Sequence, residues 1–585
     1  MTNAIHRNIP DSYGSNAYQV DPDFSRLLEL YIEPELWAHV EPRFQEMGEL
    51  VGGELETLAL EADKNPPVLQ LRMRNGADAQ RIDKHPSYRR LEHFAYSHFG
   101  LAAMSHRGGV LDWPEPMPPI VKYGLTYLFV QAEFGLCCPL SMTDSLTRTL
   151  RKFGEQALID RYIGNLTSQD EAEQFQGAMF ITEQDAGSDV GAITTDARFE
   201  DGVWRLYGDK WFCSNPDAEL AMVLARPEGG EPGTRGLTLF LLPRYLEDGS
   251  LNNYRMLRLK DKVGTRSMAS GEIIMEGAEA YVVGEQGKGF KHMTDMINMS
   301  RLSNGVRSAG LMRRALNEAL FIARNRIAFG HQLIDLPLMQ RTLIKMMVTT
   351  EQGRSMAFHT AECLRRADGG DAEATKLLRI LTPLIKFRTT RDARQVTGDG
   401  MEVRGGGGYI EEWSDGRVLR DSHLGSIWEG TSNIVALDVF RAIRREQTLP
   451  VLHDYLQRLL SEVQLSDEEH DQFKSLLEKA VSAAEQVADQ RECEVEVRRI
   501  ASGLYNITSA IILAWEAAQQ GDNWRRLTLA KLVVKHKLLP EDPLHAEPLN
   551  KDLLDKLLSE APLRRDDTLT LASQHAREVL AEESS

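Results

Sequence analysis

The hydrophobic period of this chain changes twice, and those two changes limit its fold more than any other feature. From about residue 22 to 170 apolar residues recur three and four positions apart, as in FSRLLELYIEPELWAHVEPRFQEMGELV, with Pro and Gly at the joins, which predicts helices. Near Gly177 short β-branched and aromatic runs take over, and RFEDGVWRLYG predicts a hairpin about Asp201 and Gly202. Helical spacing returns at Gly287, where three long segments, up to the TGDG at 397–400, each predict a long helix. IVALDVFRAIRRE, with Ile434, Leu437, Phe440 and Ile443 on one face, predicts a fourth. The order is that of a multidomain α+β protein: an N-terminal α-domain (1–176), a middle β-barrel-like domain (177–286), a four-helix bundle (287–446) and an additional helical C-terminal domain (447–585).

Composition removes several classes. The N-terminus MTNAIHRNIPDSYGSNAYQV lacks the apolar core of a secretory signal, and no run reaches the length of a membrane-spanning helix. Five scattered cysteines form no CxxC pair or His/Cys cluster, so no metal site is expected, and a reducing, cytoplasmic setting is. A net charge of −18 works against general affinity for phosphate backbones.

Four stretches carry chemistry. GSIWEGTSN, residues 425–433, sets one carboxylate, Glu429, between the apolar Ile427 and Trp428 and a small polar run, just before a helix for which Thr431 and Ser432 are good caps. A carboxylate so placed can act as a general base, although a lone Glu there more often only complements the helix dipole. ITEQDAGSDVGA, residues 181–192, offers the hydroxyls of Thr182 and Ser188 beside Gly187, which lets a ligand approach the backbone. KWFCSN, residues 210–215, offers Trp211 as a wall for a planar ring. EVRGGGGYIEEWSDGRVLRD, residues 402–421, breaks its helix at Gly405 to Gly408, where N–H groups are free to meet a phosphate or ring; it lacks the GxGxxG spacing of a dinucleotide fingerprint.

In this order and spacing, ITExxxGSDxGA, KWFxSN, ExxGGxGYxxExxxxRxxxD and IWEGTSN make residues 22–446 resemble the FAD-dependent acyl-CoA dehydrogenase family. HPSYR at 85–89, CPLSMT at 138–143, PRYLEDG at 243–249 and LKDKVGTRSMAS at 259–270 are most similar to the branch that contains the alkylation-response flavoprotein AidB. The resemblance implies non-covalent FAD and an acyl-CoA substrate. Glu429 then matches the base that takes the α-proton while the β-hydrogen leaves as hydride to flavin N5, giving a trans-2-enoyl-CoA. The Glu429 N–H matches a donor to the thioester carbonyl, and Arg301 and Gly430 match substrate-lining positions. Thr182, Ser188, Trp211, Glu402, Gly405, Gly406, Thr431 and Asn433 match the cofactor pocket. Arg326 and Phe329 match residues that reach a neighbouring subunit's FAD, which implies a homo-oligomer, dimer or tetramer. Electron-transfer flavoprotein is the acceptor the family implies.

Three positions depart from the pattern. Cys213 stands where the family has Thr or Ser, with Ser214 next to it as the substitute hydroxyl; Glu402 stands where many members have Gln; Phe180 replaces a small residue and is expected to narrow the pocket. An alternative within the same resemblance is a nucleic-acid-associated flavoprotein of the alkylation response with weak dehydrogenase activity. That role calls for a basic surface. Residues 447–585 hold 16 Lys and Arg against 25 Asp and Glu. Their one basic cluster, NWRRLTLAKLVVKHK at 523–537, predicts a half-buried helix with Arg525, Arg526, Lys531, Lys535 and Lys537 on its solvated face. Nucleic acid is therefore not an expected partner, and this segment is expected to serve packing or oligomerisation.

Overall fold

The computed structural model describes residues 9–539 and 550–571, so parts of the expected C-terminal domain, 540–549 and 572–585, lie outside the described residues. Two compact units form, one within Met1–Gly53, Asn304–Trp428 and Ser432–Ser585, the other from Glu54–Ser303 and Glu429–Thr431.

The second unit contains most of the β-structure; the first holds only a short antiparallel pair, Ile327–Ala328 with His331–Gln332, among the described residues. In the second unit the first two strands, β1 (Val68–Arg72) and β2 (Asp78–Asp83), form an antiparallel hairpin inside a stretch whose spacing predicted only helices. The signal was local: VLQLR leads into Asn75 and Gly76, and Gly76 takes φ +87°, as a tight turn requires. Seven further strands follow: β3 (Gly177–Phe180), β4 (Asp196–Glu200), β5 (Val203–Ser214), β6 (Leu220–Pro227), β7 (Thr238–Pro243), β8 (Tyr254–Leu259) and β9 (Ser270–Val282). The β4–β5 turn is the expected one, with Asp201 and Gly202 both at positive φ.

Pairing runs β6–β4–β5–β9–β7 and back to β6, a closed ring, with β3 added parallel to the start of β6 and β8 on β9. Closure leaves no open edge within the ring, and register shifts in β5 and β9 supply the bends that closure needs. Leu206, Cys213, Val223, Phe240, Leu242, Met256 and Ile273 fill the barrel. Phe180 is packed among them and fully buried, which corrects the expectation that it narrows a substrate pocket. A strand-end Phe in a small barrel gains more from core burial than from lining a cleft.

The first unit is helical. The 37-residue helix Gly289–Asn325 enters it at Asn304, and Pro337–Asp368, Ala372–Arg404 and Ser432–Glu446 supply the other long helices expected for the bundle. Asp371 caps the third, its side chain accepting from the Ala374 N–H at 3.0 Å. Close helix approach rests on small residues: a Cβ on Gly400 would lie 3.1 Å from Ala315 Cβ, and one on Gly353 only 2.7 Å from Met312 Cε. Helices Thr448–Ser461, Asp467–Asp489, Val497–Gln519, Arg525–Val533 and Lys551–Leu558 belong to the same unit.

A buried ionic network joins distant parts of that unit. Arg354 grips both oxygens of Asp21 at 2.7 Å and reaches Asp23 at 3.0 Å. Arg313 holds Glu560 at 2.7 and 3.0 Å, and Arg526 holds Asp23 at 2.5 Å and Glu516 at 2.7 Å. Burial alone would raise the Asp23 carboxyl, but Arg526, Arg525 and Arg354 outweigh it and hold the group well below the usual range. Arg525, Arg526 and Lys531 are thus not on a solvated face, as their spacing had suggested; they are buried, with Lys531 on Glu469 at 2.7 Å. Buried carboxylates elsewhere in the chain need these cations, a demand that the helix's own pattern does not record.

Candidate active site

Glu429 sits in a tight connection before the Ser432–Glu446 helix. Within the first unit, the Asp415–Gly425 helix ends as Gly425 C=O accepts from Asn304 Nδ2 at 3.1 Å. Trp428 C=O accepts from the buried Lys386 Nζ at 2.7 Å, and the Arg307 guanidinium lies 5.0 Å from the Trp428 ring centre. The chain then turns sharply: Glu429 takes φ +55° and Gly430 φ +99°. The first value strains a residue with a Cβ, by about 1–3 kcal/mol, and persists only where the surroundings impose it.

In the second unit those surroundings are Ser300 and Arg301, adjacent on the Gly289–Asn325 helix. Arg301 Nε donates to Glu429 C=O at 3.1 Å, and Ser300 Oγ donates to Glu429 Oε1. Glu429 Oε2 is buried and has no hydrogen-bond partner. An unpartnered buried carboxylate oxygen is costly and marks a place where a ligand atom or a proton is received.

The same unit ties the two β-domain motifs together. Thr182 C=O accepts from Trp211 N–H at 2.8 Å. Glu183 and Lys210, the charged neighbours of those residues, form a buried pair at 2.8 Å, and Lys210 also donates to Ile181 C=O and Leu224 C=O at 3.2 and 3.0 Å. Glu183 further accepts from Thr194 N–H at 2.7 Å and Thr195 N–H at 3.0 Å, which folds the 181–195 loop back on itself. Burial raises the Glu183 carboxyl, but Lys210 and these donors outweigh it and bring the group down to about 2. Reading the motifs for ligand-facing hydroxyls passed over this pair; a Glu and a Lys set in otherwise apolar strand ends was the available signal.

Trp211 has its ring 3.5 Å from Lys260 Nζ. Cys213 is enclosed in the barrel, where burial pushes its thiol far up, so it is an inert core residue. Ser214, half-buried, carries the hydroxyl next to Cys213 and shares a long hydrogen bond of 3.5 Å with Ser270 Oγ, while Ser188 and Thr431 are exposed.

In the first unit, Arg326 Nη1 donates to Arg404 C=O at 3.0 Å, and a Cβ on Gly405 would lie 3.6 Å from that nitrogen. Gly405 ends the Ala372–Arg404 helix with φ +76°, and nothing crowds Gly406. Arg404 is anchored by Glu318 at 2.6 Å and Asp415 at 2.7 Å. Phe329 is 91% exposed, with Ile327 at 70% and Tyr409 at 86%; Glu402 is exposed as well. Asn433 Oδ1 accepts from Arg498 at 3.4 Å. An arginine beside an uncrowded glycine turn suits a phosphate group.

Three known domains match along the chain. Residues 178–278 match the acyl-CoA dehydrogenase middle domain, residues 287–444 the acyl-CoA dehydrogenase C-terminal domain, and residues 8–171 the N-terminal domain of adaptive response protein AidB. Acyl-CoA dehydrogenase family member 11 of Caenorhabditis elegans is 30% identical over 85% of this chain and 84% of its own length. Putative acyl-CoA dehydrogenase AidB of Escherichia coli K12 is 33% identical over 73% of this chain and 77% of its own length. The crystal structure of Caenorhabditis elegans ACDH-11 in complex with C11-CoA superposes with a TM-score of 0.85 at 27% identity, covering 93% of this chain and 94% of that one. The chain belongs to the acyl-CoA dehydrogenase family of oxidoreductases, with AidB among its relatives.

Proposed function

We propose that this protein is an FAD-dependent acyl-CoA dehydrogenase that converts an acyl-CoA thioester to the trans-2-enoyl-CoA, with Glu429 as the base. The observation that carries this reading is the asymmetry of the Glu429 carboxylate: Oε1 is held by Ser300, and Oε2 is buried without a partner. A carboxylate held through one oxygen presents the other at a defined position, as proton abstraction demands. The C. elegans relative's complex with C11-CoA supports an acyl-CoA as substrate.

In this reading Glu429 Oε2 takes the α-proton as the α,β double bond forms, and the β-hydrogen leaves with its electron pair. FAD, held non-covalently, supplies the acceptor for that hydride. The Glu429 N–H stabilises the thioester oxygen as negative charge develops on it; Lys386, bonded to Trp428 C=O of the same peptide, keeps that peptide oriented, and Arg301 holds the peptide that follows through Glu429 C=O. Thr182, Ser188, Trp211 and Ser214 hold the cofactor on the β-domain. Gly405, Gly406 and Asn433 hold its nucleotide part, and Arg326 and Phe329 reach that of a second copy. The exposure of Phe329 supports an oligomer of at least two chains. Electrons then pass to an external acceptor such as electron-transfer flavoprotein.

Anaerobic titration of the purified protein with straight and branched acyl-CoAs tests this. Bleaching of the flavin with formation of one enoyl-CoA per flavin is expected. A well-folded protein that neither carries nor takes up FAD, or whose flavin no acyl-CoA bleaches, would refute it. Peroxide formation with acyl-CoA in air would replace the external acceptor by oxygen.

A further inference from the structure

PRYLEDG, residues 243–249, takes no part in the site around Glu429. Its Arg244 is buried and donates to Gln80 C=O at 2.9 Å and Tyr254 C=O at 3.3 Å, which fixes the start of the segment to the barrel wall. Leu246 N–H then bonds Ser250 C=O at 2.9 Å across a turn in which Gly249 takes φ +81°, and Tyr245 and Glu247 are left exposed. With the helix Gln156–Leu166, Phe175 and the start of β6, they line a cavity of about 360 Å³, enough for a small ligand. Every one of these residues belongs to the second unit. β3 begins at Gly177, beside the cavity, and leads away from it to Thr182, roughly 20 Å along an extended chain, so the cavity is separate from the cofactor motif.

Three aromatic side chains, Tyr162, Phe175 and Tyr245, and three charged ones, Arg161, Glu219 and Glu247, decide what the cavity can hold. Arg161 and Glu247 satisfy each other at 2.5 Å, and Arg161 Nη1 also donates to Tyr281 OH at 3.1 Å. The same guanidinium lies 5.8 Å from the Tyr162 ring centre, so this wall already receives a cation over a ring face. Glu219 is the charge left over. Its Oε2 accepts from Gln176 N–H at 2.7 Å, while its Oε1 accepts no hydrogen bond among the described residues. Lys84, whose charge reaches Glu219, is engaged by Glu92 at 3.1 Å and Asp217 at 3.6 Å. Burial, and then Asp217, raise the Glu219 carboxyl against the Gln176 N–H, its own N–H and Lys84. An anion would meet two carboxylates here, and a neutral ligand would leave Glu219 uncompensated. A cation satisfies the carboxylate and the ring faces together.

We propose that this cavity binds a small organic cation, an amine in its protonated form, with the ammonium group on Glu219 Oε1 and the carbon body among Tyr162, Phe175 and Tyr245. The site stands apart from Glu429, and the proposal does not depend on the dehydrogenase reading.

The test titrates the full chain calorimetrically, at neutral pH and low salt, with benzylammonium, with its neutral counterpart benzyl alcohol and with benzoate. Saturable binding of benzylammonium is expected, with benzyl alcohol at least tenfold weaker and benzoate not bound. Glu219→Gln removes the charge and keeps an oxygen for the Gln176 N–H; Tyr245→Ala removes an aromatic wall that is 53% exposed, so its fold should survive. Each variant should bind benzylammonium about tenfold more weakly, with circular dichroism and flavin content as in wild type. Three results would each overturn the proposal: no saturable binding of benzylammonium at millimolar concentration, benzyl alcohol binding as tightly as benzylammonium, or an affinity for benzylammonium that neither substitution changes. A benzylammonium affinity lost together with flavin would do the same, since the cation would then sit in the cofactor site.

Discussion

Ser300 Oγ donates to Oε1 of Glu429, and the opposite oxygen of that carboxylate is buried with no partner. The neighbour of Ser300, Arg301, binds the carbonyl of the same glutamate, so two consecutive residues of one helix hold both its side chain and its strained backbone. This relationship turns a lone acidic residue in a tight turn into a directed base, and the first predictions follow from it.

Glu429→Gln keeps the shape of the side chain and removes its basicity. Flavin content and melting temperature should be close to wild type, while the rate of flavin reduction by acyl-CoA falls by about 10² to 10⁴-fold. Stopped-flow absorbance measures it, and a near-normal rate would place the base elsewhere.

Ser300→Ala removes the donor that orients Oε1. A hydrogen bond to a charged group is worth about 1.5–3 kcal/mol, so kcat should drop roughly ten- to a hundredfold with KM for the acyl-CoA little changed. Ser300→Thr, which restores the hydroxyl, should recover most of the rate. If KM rises and kcat holds, Ser300 serves substrate binding instead.

Arg326→Ala should lower flavin occupancy and the fraction of oligomer together, since the guanidinium stands by the Gly405 turn and Phe329 is exposed nearby in sequence. Sedimentation velocity with simultaneous flavin absorbance reads both. Unchanged occupancy would remove Arg326 from the cofactor site.

His359 gives the fold a pH dependence. Its ring nitrogens meet Tyr31 OH at 3.0 Å and Tyr455 OH at 2.9 Å, and burial, reinforced by Arg366, pushes the imidazole down to about 3. The folded state therefore holds the ring neutral while the unfolded chain protonates it near pH 6.5. This contribution is complete above that value and is lost as pH falls towards 3, by up to about 1.4 kcal/mol per pH unit. Denaturant titrations between pH 6.5 and 4.5, above most carboxylate titration, should show the slope in wild type and a flatter profile in His359→Gln.

Arg526→Ala leaves Asp23 and Glu516 buried without their shared cation. A loss of about 3–5 kcal/mol is expected from removing one member of a buried network. Urea unfolding checks it. A loss under 1 kcal/mol would mean that water replaces the guanidinium there.

The sequence alone determined a great deal. Periodicity determined the succession of helical, β and helical segments, because one buried face per element forces a repeat of 3.6 or 2 onto the residues themselves. It also located the Asp201–Gly202 turn, the long helices after Gly287 and the four motif stretches, since turn chemistry and motif spacing are local. Tertiary structure alone decided the rest. It buried Arg525 and Arg526, because the acids that neutralise them stand up to five hundred residues away at Asp23 and Glu351. It moved Phe180 and Cys213 into the barrel, because the closure of the ring, and not the strand's own pattern, sets which face is inside. And it set Ser300 and Arg301 on Glu429, and Arg498 on Asn433, since hydrogen bonds between residues remote in sequence leave no periodic trace in either partner.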